Sequence, residues 1–225
     1  MLKMKKIVPA IALSVAVLSG SVVIPNSVNA NPVETVTANE NDIQHVQLNK
    51  LFVDIPYSDV DYELKRKETT SAVEIEVYER STGNLVTTYG EVKNQDSNFS
   101  ARAATDYQSI RAYQDYQDSG FVSVRLQADL YVYSSGSFGQ INKVIATNYY
   151  ATSDGSWDMV NPSAHTVSMT GSFPTQKVQV KGSVTIDTVK TKIGGVAIGD
   201  LGYTVQQNSH YRKNLNHGFT FTFGR

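Results

Sequence analysis

Residues 122–133 read VSVRLQADLYVY, and the alternation in this stretch decides the fold. Val122, Val124, Leu126, Ala128, Leu130 and Val132 recur at every second position, separated by Ser123, Arg125, Gln127, Asp129 and Tyr131. Side chains of an extended chain point alternately to opposite faces, so the stretch is expected to be a strand with one face buried and the other wet. Tyr131 and Tyr133 fall on the wet face.

Working outward, Asp118, Ser119 and Gly120 form a turn signal that joins this strand to a tyrosine-rich run, Tyr107 to Tyr116. That run also recurs every three residues at Tyr107, Ile110, Tyr113 and Tyr116, which leaves a short helix as an alternative. Downstream, further strands are expected at Ile141–Tyr150, at His165–Phe173 with Val167 and Met169 inward, and at Val178–Ile186. Ser134–Ser137, Ser153–Ser156, Asn161–Pro162 and Phe173–Pro174 supply turn signals between the runs. The last runs are Ile193–Val205, broken by Gly194, Gly195, Gly199 and Gly202, and a C-terminal alternation of Phe219, Phe221 and Phe223. Glycines inside the penultimate run predict bulges or a sharply coiled sheet.

Before residue 100 the clearest element is a hairpin. Val73, Ile75 and Val77 alternate with Glu74, Glu76 and Tyr78, then Ser81–Asn84 supplies a turn and Leu85–Tyr89 a second strand. Residues 43–57 favour extended structure ended by Pro56. The fold expected is therefore all-β, an antiparallel sandwich or small barrel of about seven or more strands, preceded by a small hairpin-containing segment. No fixed-period repeat argues for a propeller or a β-helix.

The chain start reads as an export signal. Lys3, Lys5 and Lys6 precede an uncharged apolar run from Ile7 to Leu18, and Val28, Asn29 and Ala30 fit a signal-peptidase site, so residues 1–30 are expected to be removed. The expected localisation is secreted or extracellular, in the manner of bacterial export. Removing three lysines and no acid from 20 basic and 21 acidic residues leaves a net charge of −4, which argues against nucleic acid as a partner. With no cysteine anywhere, neither disulfides nor thiolate metal sites nor a thiol nucleophile can form. The mature chain must hold together by core burial.

Charge is unevenly spread. Residues 31–100 carry 13 acids and 6 bases, whereas 101–225 carry 8 acids, all Asp, and 11 bases. The step falls on residues 94–104, which suggests an acidic N-terminal segment, 31–100, followed by a β-domain, 101–225. Residues 31–42 are expected to be a disordered leader, and the whole acidic segment is a candidate pro-region.

Chemistry is sparse. None of the four histidines has metal-ligand spacing, no nucleophile elbow is present, and the body lacks Glu for a glycosidase acid. No catalytic residue, metal or cofactor is expected. Asp154, Trp157 and Asp158 lie on one acidic turn that would stack a sugar or hold Ca²⁺ if Trp157 were exposed, and would plug the core otherwise. Nine of the thirteen tyrosines follow residue 101. Tyr131 and Tyr133 are candidate binding residues, because tyrosine joins a flat apolar ring to a hydroxyl and loses few rotamers on contact. The function expected is non-enzymatic binding or structure at the cell surface or in the medium, toward a macromolecule, glycan or cell wall. The alternative is a membrane-active, pore-forming or antimicrobial β-protein kept in check by the acidic segment.

Overall fold

The alternating stretch does form a strand, a long interior member of a six-stranded meander, paired on both sides. In the computed structural model, which describes residues 43–93, 107–118, 120–206 and 209–224, the strands are β1 (Gln44–Gln47), β2 (Leu51–Ile55), β3 (Tyr62–Glu68), β4 (Ala72–Glu79), β5 (Leu85–Lys93), β6 (Tyr107–Asp118), β7 (Val122–Ser135) and β8 (Phe138–Ala151). They are followed by β9 (Trp157–Ser168), β10 (Lys177–Thr188), β11 (Lys192–Ile193), β12 (Val196–Ala197), β13 (Thr204–Val205) and β14 (Tyr211–Phe223). The export signal, the polar leader and the composition step at 94–104 lie outside the described residues.

One sheet runs β3-β4-β5-β6-β7-β8, and every pair is antiparallel. The other runs β1-β2-β14-β10-β9, with β13 added beside β14. The two sheets pack face to face over one core. From the meander it takes Val73, Ile75, Val77, Ile110, Val124, Leu126, Leu130 and Val132, and from the second sheet Val53, Val178, Val180, Ile186 and Phe221. Each such side chain, fully buried, contributes roughly 1.5–3 kcal/mol, which is how a chain without cross-links is held.

The acidic segment does not form a core of its own. Strand β5 pairs with β6 across the composition step, from Thr87↔Tyr116 to Lys93↔Ile110, and β2 pairs with the C-terminal β14, from Asp54↔Thr220 to Leu51↔Phe223. Both sheets are thus completed by residues before 100. Strand β3 is an edge strand bearing Glu63, Lys65, Arg66, Lys67 and Glu68, charges that discourage pairing with another chain.

Three local expectations are corrected. Tyr107–Asp118 is strand throughout, so the helical alternative lapses. Val167 and Met169 point outward, because the register Val178↔Ser168 and Val180↔Thr166 puts Ser168 and Thr166 on the inner face with the buried valines. Asn161 and Pro162 lie inside β9 rather than between strands; Asn161 adopts φ 52°, and the ladder shifts register opposite, between Ser183 and Thr185, as a bulge does. The glycine-broken run also resolves differently. Gly194 and Gly195, at φ 55° and 87°, turn a two-strand ribbon of β11 and β12, and a short 3-10 turn at Ile198–Leu201 leads back to β13. That excursion is pinned to the body by Asp118, which accepts bonds from Lys213 Nζ at 2.7 Å and Tyr203 O–H at 3.0 Å, while Lys213 also donates to the Leu201 carbonyl at 2.8 Å.

Candidate functional site

The outer face of the meander is built in two parts of different character. Its middle is an ionic lattice. Tyr113 lies flat across Gly90, where a Cβ would come within 2.1 Å of its ring, and its hydroxyl donates to Glu74. The Arg125 guanidinium stacks 3.7 Å above the Tyr113 ring and grips Asp115 with two bonds of 2.6 Å. Arg111 pairs with Asp129 at 2.8 Å, and Glu76 accepts from Lys67 and from the Tyr78 hydroxyl. Burial and the Glu74 carboxylate both push the Tyr113 hydroxyl well above the usual phenol range. The donors and acceptors named here satisfy one another, so this part stabilises the sheet and has little left to offer a ligand.

Toward the β7–β8 turn the character changes to an aromatic strip. The β6–β7 register sets Tyr107 opposite Tyr133 and Ser109 opposite Tyr131; the β7–β8 register sets Lys143 opposite Tyr131. The Tyr107 ring stacks on Tyr131 (centroids 5.5 Å, planes 13° apart) and leans on Tyr133 at 4.8 Å, and Tyr133 in turn meets Phe138 at 6.2 Å. Lys143 Nζ sits 5.4 Å from the Tyr131 centroid. Tyr107 is 45% exposed and Phe138 50%. Four aromatic rings therefore form a continuous row facing outward. Beyond Phe138 the surface dips into a cleft of about 380 Å³ lined by Phe52, Phe138, Phe223, Lys50, Gln47 and Ser134, among others.

Of the residues expected from sequence, Tyr131 and Tyr133 stand together in this row. Trp157 does not join them. It is 8% exposed, packs in the core, and its buried indole N–H has no hydrogen-bond partner among the described residues. Asp154 and Asp158 are exposed, and among the described residues no three His, Asp or Glu side chains approach closely enough to hold a metal ion. Sequence reasoning missed Tyr107, Phe138 and Lys143 as members of the site. The signal was present: a turn at residues 118–120 pairs positions equidistant from it, which brings Tyr107 beside Tyr133.

Among the described residues no helix is long and apolar enough to cross a membrane. No protein-family model, no curated protein and no solved structure matches this chain.

Proposed function

We propose that the protein is exported and acts without catalysis, binding a wall or surface glycan through the row Tyr107, Tyr131, Tyr133 and Phe138. The observation that carries this reading is the row itself: four contiguous rings, two of them about half exposed, beside a lattice whose polar groups bond one another. An isolated exposed aromatic residue is ordinary on a protein surface, whereas a contiguous patch of them marks a contact surface. The ligand chemistry follows from the neighbours. Gln140 and Asn142, bonded to each other at 2.8 Å on β8, and the Tyr hydroxyls offer hydrogen bonds around flat apolar rings, which suits the C–H face and hydroxyl rim of a pyranose. Lys143 sets a single cation 5.4 Å from the Tyr131 centroid, beside the row, so a neutral or weakly acidic chain fits better than a polyanion.

The test is retention on purified cell-wall polysaccharide. A Tyr107→Ser/Tyr131→Ser variant should lose binding by about tenfold or more, since two partly exposed rings each contribute on the order of 1 kcal/mol. Its thermal midpoint should hardly move, because both side chains sit outside the core. Undiminished retention would remove the row from the binding surface.

A further inference from the structure

We infer that the turn of the β9–β10 hairpin, Ser168–Lys177, is a docking tip for an anionic phospholipid bilayer, distinct from the tyrosine row. The first observation is exposure: Val167 is 41% exposed, Met169 50% and Phe173 37%, a run of large apolar side chains clustered at one hairpin end. The second is how the turn treats its own polar groups. Met169 N–H donates to the Lys177 carbonyl and Gly171 N–H to the Ser168 carbonyl. The Ser168 hydroxyl donates to the Ser172 carbonyl at 2.6 Å, and the Thr175 hydroxyl donates to the Lys177 carbonyl at 3.1 Å. Thr170 bridges inward to Thr175 at 3.1 Å. A turn entering the interfacial region of a bilayer gives up water, and each backbone group left without a partner would cost several kcal/mol there. This turn closes much of that deficit internally while leaving its apolar side chains outside.

Charge selects the kind of partner. Between Asp158 and Asp187 the chain contains no acidic residue, while Lys177 and Lys181 supply cations. Lys177 holds Asp54 at 2.9 Å, leaving exposed Lys181 to face solvent from the same hairpin. Exposed apolar side chains backed by Lys181, the nearest acid, Asp54, being already neutralised by Lys177, match a surface of anionic headgroups over acyl chains. The tip is also held firmly. Thr175 bridges Ile141 at the start of β8, and the Phe223 N–H donates to the Gln176 carbonyl at 2.7 Å, so the apolar side chains are presented by the sandwich itself.

Co-sedimentation of the purified 31–225 chain with vesicles of equimolar phosphatidylcholine and phosphatidylglycerol tests this. Wild type should partition onto them and much less onto pure phosphatidylcholine. Met169→Asp/Phe173→Asp should lower the partition coefficient by about tenfold or more with an unchanged circular dichroism spectrum, since both side chains lie outside the core. Tyr107→Ser/Tyr131→Ser should bind vesicles like wild type, which separates failure of the tip from failure of the tyrosine row. No partition by wild type, or equal partition by the tip variant, would overturn the proposal. So would a wild-type dimer, seen without lipid, that the tip variant dissolves, because the patch would then belong to a second copy of the chain.

Discussion

His217 faces inward from the middle of β14, between the sheets, where its Nδ1 lies 2.9 Å from the Tyr149 hydroxyl and its ring 4.2 Å from that of Tyr116. Burial pushes its pKa down to about 4, only partly countered by the Asp118 carboxylate. The unfolded chain, with an ordinary imidazole near 6.5, binds the proton more readily than the folded one. Stability from this group is therefore complete above about pH 6.5 and is lost as pH falls through 4, with a ceiling of about 3 kcal/mol. Urea unfolding should show a free energy that rises over this window, and His217→Phe should flatten that rise. The variant should also be less stable at neutral pH, because the Tyr149 hydroxyl loses its partner. An identical pH slope in both proteins would mean that His217 charges as freely in the fold as outside it.

The β1–β2 hairpin shows how an element is fixed when its own ladder is too short to stand alone. Its turn points the N–H groups of Asn49, Lys50 and Leu51 at one oxygen of Glu91, at 2.9, 2.8 and 2.9 Å, and Glu91 belongs to β5 of the opposite sheet. Arg66, on β3, donates to the carbonyls of Gln47 and Leu48. Burial raises the Glu91 carboxyl pKa in spite of the three N–H donors. Glu91→Ala should cost about 3 kcal/mol, a fall in thermal midpoint on the order of 10 °C, because three amides lose their acceptor. Glu91→Gln keeps an acceptor oxygen and should cost less; faster amide exchange at Asn49–Leu51 in the alanine variant alone would locate the effect. Nothing in the sequence announced this role, since a lone Glu after a hairpin reads as surface. Strands β4 and β7 were legible because one clean period covered each, and β3 was not, because an edge strand is charged on positions that elsewhere would be apolar. Val167 and Met169 misled for a related reason: at the end of β9 Val167, and Met169 just beyond it, sit outside while Thr166 and Ser168 sit inside, so hydrophobicity alone gives the wrong face.

The sandwich as a whole depends on the chain before residue 100 in two places. Take away 31–103 and β6 loses its neighbour β5 while β14 loses β2, leaving two long strand edges unpaired at once. Leu48, Leu51, Val53, Ile55, Val73, Ile75, Val77 and Tyr89 leave the core with them, all 3% exposed or less. Eight such side chains represent roughly 12–24 kcal/mol of burial, against a total stability of about 5–15 kcal/mol for a domain. A 104–225 fragment should therefore fail to fold, giving an amide spectrum without dispersion, no cooperative thermal transition and edge-driven aggregation, whereas 31–225 should unfold in one transition. This bears on the reading of the acidic segment as a removable pro-region. Its excision would release no finished β-domain but a sheet missing half its strands, so a membrane activity that needed such a cut would have to begin from an unfolded body. A well-dispersed, cooperatively melting 104–225 fragment would reverse that argument and restore the acidic segment as a separable arm.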